Sequence, residues 1–185
     1  MSRVDNRKFD PRKGFDRERG GLAMAMWYAV KVAFFLSAIP WPSSVKCSLL
    51  RIFGAEVGER VYIKPRVNIH FPWKLSVGDD AWIGEQVEIY NFERVSIGAN
   101  ACISQRAFLC AGNHDYRDPA MCYRNAPVSI FDGAWIGACV VVGPGVRVGV
   151  DAVATAGSVV VKDLPEGMVC TGNPCVPVRP RWNDE

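Results

Sequence analysis

The stretch IFDGAWIGACVVVGPGVRVGVDAVA, residues 130–154, puts an aliphatic or small apolar residue at every sixth position: Ile130, Ile136, Val142, Val148 and Ala154. Working back along the chain, the same step links Val57, Ile63, Ile69 and Leu75, then Val77, Ile83, Ile89 and Val95, then Ile97, Ile103 and Leu109; forward, it reaches Val160. Fixed-period self-similarity marks a stacked solenoid. Six residues are too few for a helix hairpin and do not show the alternation of a longer strand. They suit one short strand and one tight corner, three of which close a triangular coil whose strands stack about 4.8 Å apart. A β-sandwich would space its strands by about 8–12 residues instead.

Glycine often follows the aliphatic position, at Gly58, Gly78, Gly84, Gly98, Gly137, Gly143 and Gly149. The expected reason is its tolerance of the backbone angles a corner demands. Four residues after the aliphatic stands a small or β-branched residue, such as Ala81, Val87, Ala101, Ala107, Ala134 or Val140. That spacing predicts a second inward position. The upstream coils repeat every 20 residues and the downstream ones every 18, but Ile97 and Ile130 are 33 apart. The surplus falls within 110–127 and predicts one loop extruded outward from a buried stack. Long loops on rigid scaffolds are where function concentrates.

Composition narrows the class. The 185 residues are 49% hydrophobic and 22% charged, ordinary for a globular chain. Seven cysteines form no C-x-x-C pair and no metal spacing, which fits a reducing compartment and predicts a cytoplasmic protein. The start is long, polar and mixed in charge, unlike a cleavable secretory signal. Net charge is +3, and residues 1–20 carry it all, with seven Lys/Arg against four Asp/Glu. No basic stripe interleaved with aromatics appears, so nucleic acid is not an expected partner.

The chain divides into a flexible basic arm (1–20), a helical cap (21–54), a β-helix (55–165) and a C-terminal tail (166–185) that strays from coil geometry. Within the cap, LAMAMWYAVKVAFFLSAI at 22–39 is apolar but for Lys31 and Ser37, and it stops at Pro40-Trp41-Pro42. Ser43 and Ser44 offer an N-cap for a second helix through Phe53, with Gly54 as its stop. Residues 22–53 admit three readings. They cap the solenoid or a neighbouring subunit, as solenoid ends require. They lie on a membrane interface, for which Trp27, Tyr28, Trp41 and the basic arm are suited. Or 22–39 spans a membrane, against which a central Lys31 costs about 2.5–3.5 kcal/mol.

Two histidines are present. His114 lies in the extruded loop, anchored close to a coil position, with Asn113, Asp115 and Tyr116 as hydrogen-bonding neighbours that could meet a substrate. A free imidazole is mostly the neutral base at neutral pH, as removal of a proton from an alcohol requires. His70 follows inward Ile69 and is expected to pack or to face solvent. Two histidines 44 residues apart do not make the three-ligand set of a catalytic zinc, so no metal is expected. This also argues against a γ-class carbonic anhydrase. Cys110 reads as a small residue at the loop's start rather than as a nucleophile. In the last coils, ATAGSVVVKD (154–163) combines tiny residues with Lys162, and Arg179 and Arg181 follow. These cations suit phosphates, or else simply face solvent.

The motifs IGACVVVGPGVRVG, AGSVVVKDLP and GNPC-x-P-x-R together resemble the hexapeptide-repeat acyltransferases. LLRIFGAEVG, PWKLSVGDDAWIGE and ISQRAFLCAGNHDY are similar to the colanic-acid-biosynthesis type among them. The resemblance implies a mainly β fold, a left-handed parallel β-helix of hexapeptide repeats with an N-terminal helical segment and a loop at about 110–127. It implies a homotrimer with active sites between subunits and acetyl-CoA as co-substrate. It places the pantetheine arm past Ala138 and Ala156, and the phosphates near Lys162, Arg179 and Arg181. It assigns His114 as general base and Asn91 as a polar substrate contact. Ala138 stands where some relatives have Ser and Val161 where some have Thr. The loop lacks a Glu that some relatives hold near the histidine, leaving Asp115 or a backbone carbonyl to orient His114. The implied activity is acetyl-CoA-dependent O-acetylation of a saccharide hydroxyl in exopolysaccharide or capsule biosynthesis. A lipid-linked acceptor at the inner face of the membrane would explain the apolar cap. The alternatives are a soluble acceptor (free sugar, antibiotic or serine) and a non-enzymatic solenoid scaffold.

Overall fold

A computed structural model describes residues 3–182; positions 1, 2 and 183–185, parts of the expected arm and tail, lie outside the described residues. The inward aliphatics drive the chain into a three-sided parallel β-helix. Its first sheet holds β1 (Glu56–Val57), β4 (Leu75–Val77), β7 (Val95–Ile97), β10 (Val128–Ile130) and β13 (Arg147–Val148). The second holds β2 (Tyr62–Ile63), β5 (Trp82–Ile83), β8 (Cys102–Ile103), β11 (Trp135–Ile136), β14 (Val153–Ala154), β16 (Met168–Gly172) and β17 (Cys175–Pro180). The third holds β3 (Asn68–Ile69), β6 (Glu88–Tyr90), β9 (Phe108–Cys110), β12 (Val141–Val142) and β15 (Val159–Val160). The register matches the sequence grid, with Val57 over Val77, Val77 over Ile97, Ile97 over Ile130 and Ile130 over Val148. Ile63, Ile83, Ile103, Ile136, Ile69, Ile89, Leu109 and Val142 fill the prism, and Ala81, Val87, Ala101 and Ala107 occupy the second inward position.

The corner glycines act for a different reason from the expected one. None of the seven on the grid has a positive φ. Left-handed backbone falls two residues later, on Arg60, Asp80, Asn100 and Asp151 at one corner and on Arg66, Gln86, Arg106 and Cys139 at the next. What most of the grid glycines supply is clearance. A Cβ on Gly78 would stand 2.5 Å from the Ala99 nitrogen, and one on Gly137 would stand 2.6 Å from the Ala156 nitrogen. Coils stack too closely at that point for any side chain.

The first coil has an open end whose carbonyls need donors. Two N-terminal helices supply them: α1 (Gly21–Val30), which runs on into a π-helical turn at Lys31–Phe35, and α2 (Ser43–Ile52). Arg51 donates to the carbonyls of Val57 and Gly58, Trp27 to that of Ile69, and the fully buried Lys46 to those of Ile63 and Lys64. Ser43 is the first residue of α2 rather than its cap, and its hydroxyl accepts from the Ile63 amide. Among the described residues no helix is long and apolar enough to cross a membrane.

Burial of the Lys46 ammonium disfavours its charged form and lowers its pKa, so its two hydrogen bonds must outweigh that cost. A buried carbonyl left without a donor costs about 1–3 kcal/mol. Lys46→Met keeps the stem and removes the donor; it should lower stability by about 2 kcal/mol, or roughly 4–8 °C in Tm. A melting temperature unchanged or raised in that variant would show that burying the charge costs as much as its bonds return.

Residues 3–20, expected as a flexible arm, lie against the extruded loop. The Asp5 amide donates to the Pro119 carbonyl, and Phe15 stacks on Phe92 at 4.7 Å. Lys74, buried behind Phe15, donates to the Asp16 and Phe92 carbonyls. The tail divides in two. β16 continues the second sheet in parallel on β14, and β17 folds back antiparallel to close that end.

Candidate active site

The loop 110–127 leaves the corner between the third and first sheets and is built as a hairpin. His114 bridges Tyr123 in antiparallel fashion, Asp115 donates its amide to Cys122, and Arg124 donates to Asn113. The Tyr90 ring lies under the loop's first residues, where a Cβ on Gly112 would come within 2.5 Å of it. The His114 ring is stacked on Tyr123 at 4.9 Å and met edge-on by Phe9 at 5.3 Å.

Its Nδ1 stands 2.5 Å from the Met121 carbonyl. A carbonyl only accepts, so Nδ1 carries the hydrogen and, in the neutral ring, Nε2 carries the lone pair. Of the two candidates for orienting His114, the backbone carbonyl is therefore the one used. Asp115 instead accepts from the Arg117 amide and turns the loop. Asn113 is engaged in the same way, its Oδ1 accepting from the His114 amide. Tyr116 is exposed, with Arg117 over its ring. Sequence reasoning missed Met121, because a backbone carbonyl has no side-chain signature. It also missed Phe9 and Tyr123. The aromatic spacing of Phe9 and Phe15 within an otherwise charged arm was the available signal.

Asn91 requires a correction. It is completely buried; its Nδ2 donates to the Phe71 carbonyl, and its Oδ1 accepts from the His70 and Phe71 amides. Its polar atoms stitch one coil to the next and offer no face to a substrate. Cys110 hydrogen-bonds the Gly112 carbonyl, and burial pushes its thiol pKa up, which is unsuited to a nucleophile.

Ala138 and Ala156 stack on one corner of adjacent coils, between the second and third sheets, with Gly157 donating to the Ala138 carbonyl. Lys162 lies at the other end of the third sheet, just past β15, exposed and without an ion pair among the described residues. That corner is the one from which the His114 loop leaves, two coils or about 10 Å along the stack. Ala138, Ala156, Lys162 and His114 thus flank a single face, the third sheet, with Phe108, Val141 and Val159 half-buried on it.

The arginines do not join them. Arg181 donates to the Gly133 and Asp151 carbonyls and pairs with the Asp151 carboxylate at 3.5 Å, clamping β17 to the opposite corner. Arg179, exposed, sits near that same end of β17, opposite Val169. A surface depression of about 740 Å³ is also elsewhere, on the first sheet around Ser76 and Ser96. It is shallow and holds neither histidine, so the chemistry is placed by His114 rather than by concavity. Among the described residues no three His, Cys, Asp or Glu side chains stand close enough to hold a metal.

No protein-family model matches the chain. It is 40% identical to WcaF of Escherichia coli (strain K12), which bears the name of a colanic acid biosynthesis acetyltransferase, over 96% of this chain and 97% of that protein. It is 32% identical to the galactoside O-acetyltransferase of the same organism, over 71% of this chain and 66% of that one. The structure of a galactoside acetyltransferase in complex with coenzyme A superimposes with a TM-score of 0.77 at 26% identity, covering 86% of this chain and 80% of that one. The hexapeptide-repeat acetyltransferase VCA0836 of Vibrio cholerae shares the fold, with a TM-score of 0.79 at 24% identity over 88% of this chain and 92% of that one.

Proposed function

This chain belongs to the hexapeptide-repeat acetyltransferases, and from that membership we propose that it moves an acetyl group from acetyl-CoA to a saccharide hydroxyl, in exopolysaccharide or capsule biosynthesis. The observation that carries the proposal is the state of His114. Its Nδ1–H is tied to the Met121 carbonyl, which leaves Nε2 as the ring's lone pair, and its loop roots at a corner of the third sheet, the sheet flanked by the small-residue corner and by Lys162, which has no ion pair among the described residues. Acetyl-CoA, when bound, supplies the acetyl thioester. Ala138 and Ala156 leave room for its narrow arm against the backbone, and Lys162 offers a cation to a phosphate. Nε2 takes the acceptor's hydroxyl proton, the Met121 carbonyl stabilises the imidazolium that forms, and Nε2 gives the proton up as the thiol departs. The active base is the neutral imidazole, and no covalent intermediate is required, because both reactants are held together.

The test is free-thiol release from acetyl-CoA by the full chain with a panel of acceptors: lipid-linked glycans, free oligosaccharides, monosaccharides and serine. Release stimulated by glycans supports the reading. Stimulation by serine alone would move the protein to the soluble-acceptor class.

The homotrimer is proposed on two grounds. The second sheet exposes an apolar ladder of Tyr62, Trp82 and Trp135, each 41–47% exposed, and His114 lies on a loop that projects from the prism. Sedimentation at a single trimeric mass supports this; a monomer at micromolar concentration contradicts it. We also place the protein in the cytoplasm, at the inner face of the membrane. The supporting observation is α1 and its π-helical extension, whose exposed residues (Leu22, Ala25, Met26, Tyr28, Ala29, Val32, Ala33 and Leu36) are apolar, while the one cation, Lys31, turns inward. An outer face of that kind, next to a basic arm, fits an anionic lipid surface. Flotation with phosphatidylglycerol vesicles, abolished by Leu22→Asp with Met26→Asp, is the expected result. Equal recovery of the variant would remove the membrane contact.

A further inference from the structure

The second histidine is also built into something. His70 directly follows β3, and its Nε2 lies 2.9 Å from Glu88 Oε1. The Asn68 amide donates to both oxygens of the same carboxylate, at 2.8 and 3.1 Å. Burial alone would raise the Glu88 pKa; the hydrogen bonds from His70 and Asn68 outweigh it and hold the carboxyl below its ordinary range. A carboxylate only accepts, so Nε2–H points at Glu88 and Nδ1 is left as the free position of the ring. Nδ1 has no partner among the described residues, and the side chain is 26% exposed.

His70 opens on a cleft of about 170 Å³ between α1 and the first coil, walled by Trp27, Tyr28, Phe71 and Trp73. Lys31 enters the same cleft. It is 93% buried (7% exposed), its ammonium makes no hydrogen bond or ion pair among the described residues, and it lies 5.6 Å from the Tyr28 ring. Its Nζ keeps contact with solvent in the cleft and feels the Glu88 carboxylate, so an oxygen ligand there would take the place of water on a cation already turned toward it. The cleft therefore offers one acceptor, one donor and aromatic walls. A sugar hydroxyl, which both gives and takes a hydrogen bond, matches the polar pair, and the C–H face of a pyranose matches the walls. The volume is well under the roughly 300–1,000 Å³ of drug-sized sites, so it suits one ring and not a chain.

The cleft stands near His114 but not at it. The two imidazoles are linked through Phe92 and Tyr123 by ring-to-ring steps of 5.9, 6.2 and 4.9 Å. One sugar unit does not reach both; a longer glycan spanning them passes over Phe15, which lies on Phe92 and Tyr123. We propose that His70, oriented by Glu88, and Lys31 form a saccharide subsite flanking the acetylation site, which selects oligomeric over monomeric acceptors. This rests on the saccharide acceptor proposed above.

The test is direct binding without acetyl-CoA, read by the fluorescence of Trp27 and Trp73, using galactose, lactose and galactosyl-lactose as a length ladder. The wild type and His114→Ala should bind the longer sugars more tightly. His70→Ala and Lys31→Met should each weaken the longer sugars about tenfold, the loss of one hydrogen bond, and so erase the length preference. Glu88→Gln, which frees the imidazole tautomer, should fall between them. Acetyl-CoA binding and melting temperature report whether each variant is folded; His70→Asn and Lys31→Gln replace any that is not. The subsite is overturned if the wild type shows no length preference, or if folded His70 and Lys31 variants keep it. Failure of the acetyltransferase reading would show separately, as no thiol release with any acceptor while this binding persists.

Discussion

His114→Ala lowers kcat by 10²–10⁴-fold, the usual contribution of a positioned general base, which is about 3–5 kcal/mol of barrier. The affinity for acetyl-CoA stays near the wild-type value, because Ala138, Ala156 and Lys162, the residues proposed to hold it, are on other coils. The size of the effect follows from the geometry: Nδ1–H is spent on Met121, so the ring has one free lone pair and its direction is set. The flanking rings of Tyr123 and Phe9 keep the imidazole from swinging away. Steady-state kinetics on any accepted glycan checks it. A variant within threefold of wild type would remove His114 from the mechanism.

Gly78→Ala strongly destabilises the first coils. Its Cβ would lie 2.5, 2.8 and 2.9 Å from Ala99 N, Gly98 C and Ala99 Cα, all backbone atoms of the next coil. No rotamer relieves such a contact; two parallel strands must part. Overpacking in well-packed interiors costs about 1–3 kcal/mol, and a rigid backbone obstacle belongs at or beyond the upper end of that range. Gly143→Ala is the control, because its nearest neighbour, the Val160 carbonyl oxygen, is 3.3 Å away. Urea unfolding should separate the two by at least about 2 kcal/mol. Equal stabilities would mean that grid glycines are not there for clearance.

These two positions show what the sequence discloses and what it withholds. The sixfold step gave the sheets, their register and the loop, because each inward aliphatic is a one-dimensional record of burial. Lateral crowding leaves no such record. A glycine reads the same whether it serves φ or clearance, and only the stacked backbone distinguishes them. His114 was legible as the histidine of the one large excursion. The Met121 carbonyl was not, since any residue provides one. Asn91 was offered as a substrate contact by the resemblance alone, and only the stacked coils show its polar atoms spent on the His70 and Phe71 backbone; Arg181 was set among the phosphate partners because a guanidinium that clamps two carbonyls looks, in sequence, like one awaiting phosphate. The arm was read as flexible from its charge, while Phe9 and Phe15 are what seat it.

The most direct measurement follows the acetyl group itself. The full chain and His114→Ala are each mixed with acetyl-CoA carrying a labelled acetyl group and a glycan acceptor, and label is counted in the glycan and in the protein. The expected result is label in the glycan with wild type, at least a hundredfold slower transfer with the variant, and none retained on the chain. Equal transfer by both proteins, or label held covalently by the protein before it reaches the glycan, would contradict direct transfer driven by His114.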